Sequence, residues 1–292
     1  MDRRQAVASL IGTAFLASCS RRNAILVGSK NFTEQIILGE IAAQLLQNRL
    51  KQEVDRKLDL GGTMLAHEAL VSGGLDTYPE YTGTALTAIL RLPPAADPAA
   101  VFERVGEEYR KRFGIVWLPP LGFNDSFAMV VRRDVARQHR IATLSDAARY
   151  QPGWKLGVGY EFLQRPDGLA ALQRTYKLPF DGTPVTMDLG LLYRALQQGQ
   201  VSMAAGNTTD GMLSVLDVVV LQDDRHAFPP YQAAFLARSE ALAKYGGMRE
   251  ALTLLSGRVS EKTMQALNYS VDGRRISARE TASRFLRETG LV

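Results

Sequence analysis

Residues 60–86, LGGTMLAHEALVSGGLDTYPEYTGTAL, decide the fold. They read as a strand end, a helix, a short strand and the start of a second helix. Gly61 and Gly62 make a turn, and Thr63 is placed to cap the helix by accepting a free backbone N–H. Leu65, Ala69 and Leu70 fall on one helical face, and Gly73 and Gly74 end it. Residues 189–211, LGLLYRALQQGQVSMAAGNTTDG, repeat this stretch. The match pairs Ala69 with Ala195, Leu70 with Leu196, Gly73 with Gly199, Tyr81 with Asn207 and Thr82 with Thr208. A second echo sets ILVGSKNF at 25–32 against KLGVGYEF at 155–162. Half-length self-similarity of this kind predicts two related lobes built of strand–helix units.

The apolar run at 25–28 suits a buried strand. A polar turn follows, then a helix to about Leu50 with Ile37, Ile41 and Leu45 on one face. Asn31 or Thr33 is expected to cap it, with Glu34 in capping-box spacing. In such units ligands collect at the carboxyl ends of strands, where turns and helix N-termini point, and Lys30 falls there. Two similar units, PPLGFNDSF at 119–127 and FPPYQAAFL at 228–236, each lead into an arginine, an acidic residue and a helix start. They read as paired crossovers, the chain entering the second lobe near Phe127 and returning near Tyr231. Two hinge strands let the lobes close on a ligand. Arg165, after the strand at 155–159, holds roughly the place in the second lobe that Lys30 holds in the first.

A chain of 292 residues with 46% hydrophobic content allows a full core. A net charge of +5 without a basic run argues against nucleic-acid binding. The three histidines, His67, His139 and His226, show no metal-ligand spacing, so neither a metal nor a cofactor is expected. No Gly-x-Ser-x-Gly elbow, HExxH or P-loop points to catalysis, and Asp76, Glu80 and Asp210 are too scattered to argue as an acid/base pair. The single cysteine follows a short positive start, an apolar stretch too short to span a bilayer, and LAS before Cys19. This resembles a bacterial lipoprotein signal (residues 1–18), with Cys19 as the lipidation site and 19–24 as a tether. Cleavage there removes Asp2, Arg3 and Arg4, taking the net charge from +5 to +4.

The motifs GSKNFTE at 28–34, YPEYTGT at 78–84, GFNDSF at 122–127, EFLQRPDG at 161–168, TTDG at 208–211 and FPPY at 228–231 resemble, in order, those of the substrate-binding lipoproteins of ABC transporters for quaternary ammonium osmolytes. The resemblance implies a type II periplasmic binding protein of class α/β. One lobe would span 25–126 and 232–292, the other 127–231 including the hinge strands, with a ligand cleft between them. It implies a lipid-anchored, extracytoplasmic, non-enzymatic monomer that delivers glycine betaine, choline, carnitine or a related betaine to permease and ATPase subunits. A trimethylammonium group has no N–H to donate, so aromatic faces hold it. The resemblance puts Tyr81, Phe127 and Tyr231 in cage positions, and Lys30, Thr84 and Arg165 where a betaine carboxylate is met. The plain alternatives are packing of both tyrosines at the lobe interface, Phe127 as strand core, and Arg165 with Asp167 as a surface pair worth under about 1 kcal/mol.

One departure stands out. The family commonly places a tyrosine just before TTDG; here that residue is Asn207, and Phe127 stands where tyrosine is usual. Asn207 hydrogen-bonds instead of offering a ring. Weaker betaine binding is expected, or a ligand with an extra polar group such as carnitine or ergothioneine. An ordinary amino acid or small carboxylate is the alternative ligand, and an enzyme on a two-lobed scaffold the remote one.

Overall fold

A computed structural model describes residues 24–292. The expected signal segment, Cys19 and the expected tether up to residue 23 lie outside the described residues. Two five-stranded sheets organise them. The first runs β2-β1-β3-β10-β4, from β1 (Ile25–Gly28), β2 (Val54–Lys57), β3 (Thr77–Tyr81), β4 (Ile115–Trp117) and β10 (Ala233–Arg238). The second runs β7-β6-β8-β5-β9, from β5 (Phe127–Arg132), β6 (Leu156–Val158), β7 (Val185–Thr186), β8 (Met203–Asn207) and β9 (Val218–Val220). In both, three parallel strands meet an antiparallel fourth, β10 against β3 and β5 against β8. β5 follows β4 of the first sheet and β10 follows β9 of the second, so these two strands carry the chain between lobes.

The internal repeat is structural. The helix Thr63–Val71 (α2) and the helix Leu189–Gln197 are related by the same offset of 126 (63 to 189) as β3 and β8 (77 to 203). Gly73 and Gly199 both take left-handed backbone after their helices, with φ of +82° and +69°, a conformation in which a Cβ is strained. β3 carries Pro79, tolerated because β1 pairs with β3 only at Val27–Thr77 and leaves the rest of that edge open.

The helix Thr33–Leu50 (α1) ends where its periodicity predicts. Ile37, Ile41 and Leu45 are fully buried, but so are Ala42 and Leu46 around the helix. The C-terminal helix Ala278–Glu288 packs along it, so α1 lies between that helix and the sheet rather than on the surface.

Several local expectations are corrected. Neither Asn31 nor Thr33 caps α1; its N-cap is Phe32, without a side-chain bond, because Thr33 Oγ1 donates to Asp272 instead (2.7 Å). The N-cap of α2 is Gly62, with Thr63 the first helical residue. Leu65 is exposed; Ala66 and Leu70 carry that helix's buried face. Arg165 does not hold the place of Lys30, because a short helix, Tyr160–Gln164, intervenes after β6 and displaces it. Among the described residues no helix is long and apolar enough to cross a membrane.

Candidate functional site

The turn after β1 and the end of β3 build one wall. Lys30, buried to 2%, donates from Nζ to Glu80 Oε1 at 2.7 Å, and Glu80 is fully buried. Glu80 also accepts from Tyr78 Oη (3.1 Å) and from the Tyr81 N–H (2.8 Å). The Lys30 ammonium stands over the rings of Tyr81 and Phe32, at 4.7 and 5.8 Å from their centroids. Those two rings stack 6.4 Å apart. Lys30 is therefore not a solvated loop lysine. Two of its three N–H donors remain beyond the one given to Glu80.

The hinge and the segment after β6, the short helix Tyr160–Gln164 with the turn that follows it, build the facing wall. Phe127, at the start of β5, packs edge-on against Phe162 (4.9 Å), Phe228 (5.5 Å) and Tyr231 (5.7 Å). The Arg165 guanidinium lies against two of these rings, 5.1 Å from Phe127 and 5.5 Å from Tyr231. Arg165 grips Asp167 through Nε (2.9 Å) and Nη2 (2.6 Å). Asp167 further accepts from Tyr231 Oη (2.6 Å) and Thr87 Oγ1 (2.7 Å). The pair is buried, 11% and 2% exposed, so its reading as a weak surface pair is overturned. Although burial disfavours the charges, the bidentate contact outweighs it, keeping Asp167 below and Arg165 above their usual ranges.

Asn207 ends β8 opposite Phe127. Paired residues share a face, so the amide lies beside that ring. Its Nδ2 donates to Asp125 Oδ2 at 3.3 Å, while Thr209 Oγ1 donates to Oδ1 at 2.7 Å. Behind these lies Glu34, which accepts from Tyr81 Oη (2.6 Å) and Asn268 Nδ2 (3.1 Å). Asp210 accepts from Tyr193 Oη (2.6 Å) and the Asn207 N–H (2.8 Å). Burial pushes Glu34 up to about 7 and Asp210 up to about 6, and it raises Asp125 as well, with the Glu34 charge adding to it. Two expected wall residues, Tyr81 and Asn207, thus each hydrogen-bond a buried acid.

Glu34 gives a pH signature. Unfolded, it loses its proton near 4.5; folded, near 7. The folded state binds more protons across that window. The stability Glu34 contributes is full below pH 4.5 and is lost as pH rises through 7, and raised Asp125 and Asp210 act with the same sign. Glu34→Gln is expected to flatten the fall in melting temperature between about pH 5 and about pH 8. An equally steep fall in both proteins would mean that Glu34 is already ionised in the fold.

A cavity of about 670 Å³ opens between the lobes, lined among others by Thr63, Met64, Thr87, Arg91, Glu161 and Arg165. Arg165 borders both this cavity and the ring cluster. Thr84 is buried, but Thr87, one turn on, is the threonine that reaches Asp167. Of the expected residues, the structure groups Phe127, Tyr231 and Arg165 directly, Asn207 beside Phe127, and Tyr81 with Lys30. Sequence reasoning missed Phe32, Phe162, Phe228, Glu34, Asp125 and Asp167 as parts of this assembly. All six lie inside the motifs already quoted, and their clustering around each predicted residue was the available signal.

Residues 23–288 match the family described as the substrate binding domain of ABC-type glycine betaine transport systems. The chain is 34% identical over 276 residues to the ergothioneine transport permease/ergothioneine binding protein EgtU of Helicobacter pylori, covering 92% of this chain but only 49%, about half, of that protein. It is 36% identical over 288 residues to a glycine-betaine-binding protein of Pseudomonas aeruginosa, covering 95% and 92% of the two chains. A crystal structure of a glycine betaine/carnitine/choline ABC transporter component superposes with a TM-score of 0.77 at 28% identity, covering 91% of this chain and 99% of that one.

Proposed function

Because the chain belongs to the family of substrate-binding domains of ABC-type glycine betaine transport systems, we infer that it captures a quaternary ammonium solute in its interlobe cleft outside the cytoplasm and delivers it to an ABC permease. Members of this family bind and hand over solute; they are not enzymes. The observation that carries the reading is the use of ring faces for cations. Two of the chain's own cations, Lys30 and Arg165, lie over Tyr81 with Phe32 and over Phe127 with Tyr231. Faces that hold an ammonium and a guanidinium suit a trimethylammonium, each ring contributing roughly 0.5–2 kcal/mol.

In this reading Tyr81, Phe127 and Tyr231 contact the methyl groups, and Lys30, Thr84 and Arg165 meet a carboxylate. Lys30 and Arg165 do so with the donors left over from Glu80 and Asp167. The lobes divide at the crossover strands, into 25–126 with 232–292, and 127–231. Cys19 carries a lipid anchor, the protein works as a monomer, and the permease and ATPase subunits are its partners.

Asn207 favours a particular ligand shape. Fixed on Asp125, it presents a polar edge where a ring would stand, which suits a betaine with a further polar group. The same polar edge supports the second reading, an ordinary amino acid or small carboxylate.

Calorimetric titration with glycine betaine, choline, carnitine, proline betaine and ergothioneine separates them. Carnitine or ergothioneine is expected to bind more tightly than glycine betaine. Low-micromolar binding of plain glycine betaine would sink the Asn207 argument. Binding of an ordinary amino acid, undiminished in Phe127→Ala, would favour the second reading.

A further inference from the structure

α2 starts without a cap of its own. Its N-cap is Gly62, which has no side chain to accept a first-turn N–H. The missing acceptor comes from the other lobe. Glu161, on the short helix after β6, accepts from the Thr63 N–H at Oε1 (2.8 Å) and from Thr63 Oγ1 at Oε2 (3.3 Å). Six residues on, Asp167 accepts from Thr87 of the first lobe at 2.7 Å. One segment of the second lobe, 161–167, thus places two carboxylates on first-lobe donors.

Local geometry fits the contact on both sides. A Cβ on Gly62 would stand 2.6 Å from Glu161 Oε1, so the glycine makes room for the incoming carboxylate. A Cβ on Gly168 would stand 2.1 Å from the Phe162 carbonyl oxygen, so that glycine permits the tight return that aims both carboxylates across the cleft. A carboxylate at a helix N-terminus is also favoured by the aligned peptide dipoles. Burial opposes the Glu161 charge, but Lys30, the Thr63 N–H and Arg165 outweigh it and hold the carboxyl below its usual range.

We propose that Glu161 is a cap supplied in trans to α2 and, with Asp167, forms a latch that sets ligand affinity by stabilising the closed lobes. When the lobes part, the α2 terminus loses its acceptor and Glu161 loses its two donors, so the contact rewards closure alone. Glu161 is here a positioning residue, and its effect on affinity rests on the binding function proposed above; its effect on lobe separation does not.

The test uses Glu161→Ala, Glu161→Gln and Gly62→Ala in the purified protein. Gly62 has φ of −76° and ψ of −175°, so alanine fits its backbone. That variant displaces the Glu161 carboxylate from its seat on Thr63 without deleting Glu161 or Arg165. Small-angle scattering reads lobe separation without ligand, and stopped-flow release of the tightest-binding betaine reads the closed state. Glu161→Ala and Gly62→Ala are expected to expand the unliganded chain and weaken binding about ten-fold, through faster release. Glu161→Gln, whose amide oxygen still accepts from Thr63, is expected to fall between.

An unchanged radius of gyration in both alanine variants overturns the proposal. So does weaker binding by Glu161→Ala with radius and release rate unchanged, because Glu161 would then be touching the ligand. If the wild-type chain binds no betaine, the ligand reading fails while the difference in radius still decides the latch.

Discussion

Glu80→Ala is expected to lower folding stability by about 3–5 kcal/mol, the usual cost of stripping one partner from a buried ion pair. The side chain is fully buried and serves three donors: the Lys30 ammonium, Tyr78 Oη and the Tyr81 N–H. Alanine leaves Lys30, 2% exposed, with its charge in a low-dielectric site and no hydrogen-bonded acid, only the ring faces and the more distant Glu161 charge. Those faces return about 2 kcal/mol each. The attribution is checked by removing the lysine too. Lys30→Met with Glu80→Leu is expected to recover most of the loss, since replacing a whole buried pair with apolar groups is often neutral. Urea denaturation at constant m-value reads both. A loss under about 1 kcal/mol in Glu80→Ala would mean that Lys30 swings out to water, as an exposed pair would allow.

That pair marks the boundary of what the sequence makes legible. Patterns within one unit read well. The 126-residue repeat, the end of α1 at Leu50 and the left-handed Gly73 and Gly199 all follow from local residue order. Contacts that cross units do not. Lys30 and Glu80 are 50 residues apart, and Thr63 and Glu161 98 apart, so the capping of α2 looked like a local matter for Thr63. Leu65 matched a helical face, yet the sheet lies on the side of Ala66 and Leu70. The edge strand β7 escaped because Val185–Thr186 is only two residues long, with too few alternations to register, and the strand read as ending at Leu60 is β2, which ends at Lys57. The site followed the same rule: the motifs marked where it lies and contain its acids, while the pairing of those acids with Lys30 and Tyr81 spans 50 and 47 residues.

Tyr231 tests the ring cluster and the ligand class together. Tyr231→Ala is expected to cost about 3–5 kcal/mol of stability, as truncating a buried aromatic does. The ring is 2% exposed, packs edge-on against Phe127, and lies where a Cβ on Gly83 would come within 2.6 Å of it. Tyr231→Phe keeps the ring and deletes only the hydroxyl that donates to Asp167 at 2.6 Å. A hydrogen bond to a charged acceptor contributes about 1.5–3 kcal/mol, and Asp167 keeps Arg165 and Thr87 as donors, so the phenylalanine variant should be the milder. Binding separates the two roles further. If a quaternary ammonium rests on this face, Tyr231→Phe retains most of the affinity, and Tyr231→Ala loses it by more than its stability loss explains at temperatures where the variant stays folded. Equal affinity loss in both would move the ligand's contact from the ring to the hydroxyl. A trimethylammonium has neither an N–H nor a lone pair and makes no hydrogen bond with a hydroxyl, so that result would place the ligand's carboxylate, rather than its methyl groups, at Tyr231.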